Sequence, residues 1–133
     1  MELPEFAPGL SARVELTVTE ADTAQSLGSG DVPVLGTPRV LALAEAATVA
    51  ATARQLPGGL TTVGTRAEVE HRAPTPVGRR VTALATLAKM DGRKLLFEVT
   101  VRDGDDLVAE VRVERLILDR QRFISKALGT EVD

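Results

Sequence analysis

Residues 38–53, PRVLALAEAATVAATA, hold only two charges, Arg39 and Glu45, in a run of alanine, leucine, valine and threonine. A helix of this composition is apolar nearly all round, as expected where neighbours cover more than one stripe of it. Alanine at 42, 44, 46, 47, 50, 51 and 53 keeps it thin enough to be enclosed by a curved sheet. Thr37-Pro38 marks its start, with a hydroxyl available as N-cap and proline at the first helical position, where the missing N–H costs little. The helix is predicted to run to about Gln55 and to stop before Pro57-Gly58-Gly59.

The rest of the chain reads as strands. Val14, Leu16 and Val18 alternate with Arg13, Glu15, Thr17 and Thr19, the period of a half-buried strand. SLGSGDVPVLG, residues 26–36, follows as a loop rich in Gly, Ser and Pro. Beyond the helix, Thr65, Ala67, Val69 and His71 share one face and Arg66, Glu68, Glu70 and Arg72 the other. Val81 to Leu87 is the next strand, and Asp91-Gly92 turns into a third, in which Leu95, Phe97, Val99 and Val101 alternate with Leu96, Glu98, Thr100 and Arg102. Asp103-Gly104-Asp105-Asp106 turns into LVAEVRVERLIL, and DRQRFISKALGTEVD suggests one short terminal helix. One helix with about five antiparallel strands is an α+β pattern, and a sheet that must wrap a single helix is the hot-dog arrangement. At 133 residues this is one domain, residues 1–133, with a core over about 11–118 and a tail over 119–133. Its sheet has an edge strand that needs managing, and pairing with a second copy manages it.

Burying an ionised carboxylate without partners is costly, so Glu45 must have a reason to be in the helix. It either reaches solvent, pairs with a basic residue of the sheet, or does chemistry. His71 is the sole histidine, hence the sole side chain whose unperturbed pKa lies near neutrality. Strand parity turns it toward the helix, where a lone histidine is commonly a satisfied core residue, yet here it shares a layer with a lone acid. Thr37 and Glu45 lie about 12 Å apart along a helix rising 1.5 Å per residue. A site using both needs the chain to bend back before Pro38, or needs a second subunit.

G-T-P-x(6)-E from Gly36 to Glu45, V-G-T-x(5)-H from Val63 to His71, and the stretch from Thr75 to Leu118 together resemble the hot-dog thioesterases related to fluoroacetyl-CoA thioesterase. The resemblance covers roughly residues 11–123 and implies a catalytic set of Thr37, Glu45 and His71 at a dimer interface. It further implies Gly64 near the thioester carbonyl and Arg115 on the last strand as a substrate-side residue. Parity independently puts Arg115 on the side of Val111 and Val113. The chain departs from the family where Val111 and Val113 replace a glycine and a histidine, and where residues 26–36 lack the lid phenylalanines of the fluoroacetyl-specific enzyme.

The chemistry fits these residue types. Glu45 can deprotonate water or attack the thioester itself, His71 can relay protons, Thr37 can orient, and a Gly64 N–H can meet the oxyanion. The expected activity is hydrolysis of an acyl-CoA with a small acyl group. Coenzyme A enters only as part of the substrate, and no other cofactor is expected. Arg72, Arg79, Arg80, Arg93 and Lys94 are candidates for its phosphates, or simply solvated strand ends. A non-catalytic acyl-CoA or acyl-carrier binding module, and a purely structural dimer, are the other classes open to such a chain. A homodimer is expected, or a higher oligomer built from it. With no cysteine, one histidine and scattered acids, no metal-ligand spacing emerges. A net charge of -3, no Trp or Tyr and three Phe argue against nucleic acid. No run approaches the ~20 apolar residues of a membrane span, so a cytoplasmic location without membrane contact is the expectation.

Overall fold

Five strands form one antiparallel sheet in the order β1-β3-β4-β5-β2, with a long helix against its concave face. The structure, a computed structural model, describes residues 1–130. The last three residues of the predicted tail lie outside them. The strands are β1 (Ser11–Thr17), β2 (Leu60–His71), β3 (Arg80–Asp91), β4 (Lys94–Asp103) and β5 (Asp106–Asp119). The helices are α1 (Ala24–Leu27), α2 (Thr37–Thr52) and α3 (Arg120–Leu128). Among the described residues, no helix is long and apolar enough to cross a membrane.

The period-2 pattern becomes layering directly. Val81, Ala83, Ala85 and Leu87 of β3, Leu95, Phe97, Val99 and Val101 of β4, and Val111, Val113 and Ile117 of β5 point inward and are buried. Val40, Leu43, Ala44, Ala47 and Ala51 of α2 close the core from the other side. Burial of each large apolar side chain in this layer contributes roughly 1.5–3 kcal/mol. Gly92 and Gly104, with φ +58° and +60°, occupy the left-handed conformation that the two hairpin turns require.

Four expectations need correcting. The helix starts one residue earlier than predicted: Gly36 is the N-cap, and Thr37 lies within the helix with its hydroxyl free of any capping bond. A Cβ at Gly36 would stand 3.0 Å from the Ala24 backbone, so only glycine lets the chain come this close before turning into α2. The helix also ends at Thr52 rather than Gln55, the chain continuing in a tight turn in which Gln55 N–H and Leu56 N–H both donate to the Thr52 carbonyl. Residues 26–36 are not wholly loop, since α1 takes in Ser26 and Leu27.

The fourth correction matters most. The helix is apolar all round, but its own sheet covers only one side of it. Ala42, Ala46, Val49 and Ala50 face solvent, Glu45 is half-exposed between them, and the adjoining Ala67 of β2 is exposed as well. Among the described residues β2 pairs only with β5, so its outer edge is open.

The covered side is buried against the sheet. We expect Ala47→Leu, at a fully buried position, to lower unfolding free energy by about 1–3 kcal/mol through overpacking, read as a fall in the urea midpoint at constant m-value.

Candidate active site

Two clusters of polar side chains stand on the uncovered side, and α2 and β2 each contribute to both. In the first, the Thr37 Oγ1 lies 2.8 Å from His71 Nδ1, the direction of donation being set by the imidazole tautomer. The first turn of α2 carries the threonine and the last residue of β2 carries the histidine. His71 Nε2 is buried and finds no hydrogen-bond partner among the described residues. Burial holds the imidazole pKa below its usual 6.5, with the Ala73 backbone opposing only in part, so the ring is neutral at pH 7. A cleft of about 370 Å³ opens beside this pair, between residues 29–37 and 71–74.

The second cluster surrounds Glu45. Its Oε2 accepts from Arg115 Nη1 at 3.2 Å, and Arg115 in turn donates from Nε to Thr62 Oγ1 at 3.0 Å and from Nη2 to the Thr62 carbonyl at 2.9 Å. The Arg115 side chain is 7 % exposed and that of Glu45 is 39 % exposed. Burial pulls the guanidinium pKa down and the Glu45 carboxylate opposes it. The pair therefore consists of a fixed buried cation and an accessible acid, not a closed internal salt bridge. Gly64 completes the cluster: a Cβ there would fall 2.5 Å from Glu45 Oε2, so only glycine leaves the carboxylate its place.

A backbone irregularity lets β2 serve both clusters. Its register against β5 shifts between Gly64 and Arg66, where Thr65 is the extra residue. Without that bulge, even-numbered Gly64 and odd-numbered His71 would point to opposite faces of the sheet. With it, Gly64 sits opposite Arg115, Ala67 opposite Val113, and both ends of the strand turn their active groups inward. The same bulge takes Thr65 out of the inward alternation that simple parity assigned to it.

The structure thus brings together Thr37 with His71, and Glu45 with Gly64 and Arg115. It does not bring all five together in one chain. Thr37 and Glu45 are separated by about 12 Å of helix, and Gly64 and His71 by about 23 Å of strand at 3.3 Å per residue. Thr62, which fixes Arg115, was missed from sequence because a threonine in a strand carries no signal of its partner. Asp22 was missed too: it is 8 % exposed and accepts from Thr19 N–H, Thr19 Oγ1 and Arg39 Nε. Its signal was the Thr19-x-x-Asp22 spacing of a capping box.

Three basic residues considered for coenzyme A are occupied. Arg72 pairs with Glu70 and Glu110, Arg79 makes a two-point contact with Asp103 at 3.0 Å for each bond, and Arg80 lies 3.7 Å from Glu15. Among the described residues no group of three or more His, Asp or Glu is placed to hold a metal ion.

Known proteins resemble this chain in sequence and fold. The family model of the fluoroacetyl-CoA-specific thioesterase matches residues 18–121. The fluoroacetyl-CoA thioesterase of Streptantibioticus cattleyicolor is 36 % identical over 93 residues, spanning 70 % of this chain and 67 % of that protein. A solved structure of a fluoroacetyl-CoA thioesterase superposes with a TM-score of 0.87 at 28 % identity, covering 96 % of this chain and 99 % of that one. A thioesterase superfamily member from Thermus thermophilus gives a TM-score of 0.88 at 25 % identity, covering 96 % and 94 %. With the curved five-stranded sheet, the half-covered helix and a family match over most of its length, the chain belongs to the fluoroacetyl-CoA-specific thioesterase family, enzymes built on the hot-dog fold.

Proposed function

We propose that the protein, as a single hot-dog domain, hydrolyses acyl-CoA thioesters bearing a small acyl group, at sites formed between two copies of the chain. The observation that carries this reading is the Glu45 carboxylate, accessible on an apolar surface yet anchored by Arg115 against a glycine. Such an acid is too exposed to be a core ion pair and too well held to be a surface one.

With Thr65 bulged out of the register, Gly64 and His71 each lie three strand positions from Glu68. A two-fold axis there, pairing the open edge of β2 with that of its copy, sets Gly64 and Glu45 of one chain opposite His71 and Thr37 of the other. The same contact covers Ala42, Ala46, Val49 and Ala50, the apolar side of the helix that its own sheet leaves bare.

In this site the Gly64 N–H meets the carbonyl oxygen of the thioester as it becomes an oxyanion. Glu45 takes a proton from water while the water oxygen adds to the carbonyl carbon, or its own carboxylate adds to give an anhydride that water then opens. The C–S bond breaks, the thiolate of coenzyme A leaves with its charge met by the Nε2–H of the neutral His71 ring that Thr37 orients, and the proton given up by water ends on the sulfur. Residues 26–36 have no aromatic side chain, which argues against selection for fluorine, and the fluoroacetyl-CoA named for the 36 % identical relative supports a small acyl group. Glu45 and His71 act on the thioester without a separate cofactor.

A panel of acyl-CoAs from acetyl to palmitoyl, followed by thiol release, should show its highest kcat/KM among the short chains. Faster turnover of long chains would reverse the small-acyl assignment, and binding without hydrolysis would make the protein an acyl-CoA binding module. Glu45→Gln and His71→Ala should each lower kcat by ~10²-fold or more with unchanged circular dichroism. Thr37→Ser should retain more activity than Thr37→Ala.

Mixing the two inactive variants under conditions of subunit exchange tests the shared site. Half of the dimers then hold one intact site, and about a quarter of wild-type activity should return. A chain that is monomeric by light scattering at micromolar concentration, or a mixture that stays inactive after exchange, would refute it.

The pH profile follows from the neutral ring. The lowered His71 pKa places the acid limb of kcat/KM below pH 6.5. Because the unfolded chain binds the extra proton more readily, the contribution of this residue to stability is complete above pH 6.5 and is lost as pH falls through the folded value. An acid limb above pH 6.5 would rule out His71 as its source.

A further inference from the structure

Arg39 stands in the first turn of α2, where the helix dipole disfavours a cation and where no acidic residue of the helix itself offsets it. Its neighbour is Asp22. One carboxylate oxygen, Oδ1, accepts from Arg39 Nε at 3.0 Å, and the other accepts from Thr19 N–H at 2.7 Å and Thr19 Oγ1 at 2.9 Å. Burial works to raise the carboxyl pKa, but the donors from Thr19 and Arg39 outweigh it and hold the group below the ordinary carboxylate value. The backbone of the same residue makes a further contact, since the Asp22 carbonyl accepts from Gly36 N–H at 2.9 Å. Asp22 therefore grips the chain at residue 36 through its main chain and at residue 39 through its side chain. Thr37 lies between the two points.

We infer that Asp22 and Arg39 are positioning residues for the Thr37 hydroxyl, fixing the start of α2 so that this hydroxyl serves His71 instead of capping the helix. The inference rests on the proposed role of Thr37 and His71 in the reaction, but the geometry it explains is independent of turnover. A threonine at a helix start ordinarily turns its oxygen back to the backbone N–H groups of the first turn. Here Gly36 takes the cap position, so near Ala24 that an added Cβ would stand 3.0 Å from its backbone, and is held by the Asp22 carbonyl. Arg39, drawn to the Asp22 side chain, sets the rotation of the first turn about the helix axis. Thr37 is left pointing across to the end of β2, 2.8 Å from the imidazole. The charges also compensate: the Asp22 carboxylate provides the anion that the helix N-terminus favours, and Arg39 neutralises its burial.

The chain has a single histidine, so the imidazole ¹⁵N and ¹H signals of the labelled protein report His71 alone. Thr37→Val defines the ring signals when the hydroxyl is absent. Asp22→Asn keeps an oxygen for Thr19 but turns an amide N–H₂ toward Arg39; Arg39→Met removes the guanidinium and leaves the Thr19 bonds intact. Both should move the ring signals toward those of Thr37→Val. Both should lower kcat on the best short acyl-CoA by roughly tenfold, a modest share of the ~10² that a misplacement of 1 Å can cost, with KM changed far less. Arg39→Lys should recover part of the loss.

Arg112→Met, which removes an exposed pair with Glu98 on the outer face of the sheet, should match wild type in both measurements. If Asp22→Asn does not fold, Arg39→Met decides alone. Ring signals in Arg39→Met that coincide with wild type would overturn the inference whatever happens to turnover. A wild-type protein that hydrolyses no CoA ester would refute the proposed function, while the ring signals would still decide whether Asp22 and Arg39 position Thr37.

Discussion

A helix that is apolar on every side cannot be satisfied by a single sheet lying against one of them, and the rest of this molecule follows from that mismatch. The sheet, β1 and β3 foremost, buries Val40, Leu43, Ala44, Ala47 and Ala51. The opposite stripe of alanines and Val49 remains open and surrounds a carboxylate. An apolar surface beside an unpaired strand edge calls for a partner surface. An acid placed in the middle of that surface is where the cost of desolvation can be turned to chemistry, because any partner or substrate that covers it also strengthens its electrostatics.

Arg115 is what makes that placement tolerable. A lone carboxylate on such a surface would be destabilised by every group that excluded water from it, whereas a guanidinium already locked by two bonds to Thr62 presents its third nitrogen at no further ordering cost. The rigidity is inherited from the sheet: Thr62 and Arg115 sit on neighbouring strands in the unbroken stretch of pairing before the bulge at Thr65. Gly64 then admits the carboxylate between them. A site built on strands and one helix, rather than on loops, keeps its geometry because each member is fixed by backbone hydrogen bonds outside the site.

At the other end of α2 the same economy applies to Thr37. The residue best suited to capping the helix is relieved of that duty by Gly36 and spends its hydroxyl on His71. Local preference and tertiary demand conflict at this position, and positions of conflict are where functional groups concentrate. Thr48 shows the contrast: fully buried in mid-helix, its hydroxyl donates back to the Glu45 carbonyl at 2.6 Å and, among the described residues, makes no bond outside its own helix.

The alternation of Leu95, Phe97, Val99 and Val101, the glycine turns, the long apolar helix and the oddity of Glu45 were all legible in one dimension, because they express local periodicity and the cost of burying charge. The inward side of Arg115 was legible for the same reason, since no irregularity interrupts β5 between Val111 and Arg115. The likeness of two short motifs and of the long stretch from Thr75 to Leu118 to a thioesterase family was legible too, and pointed to the right fold and enzyme class. Tertiary structure alone decided that β2 bulges at Thr65, that Arg115 meets Thr62 and Glu45, that Asp22 reaches Arg39, and that Arg72, Arg79 and Arg80 are taken up by acids. It also decided that half of the helix would stay bare. Each of these depends on which residues from distant parts of the chain come into register, and a side chain's sequence neighbours carry no record of the strand that will lie beside it.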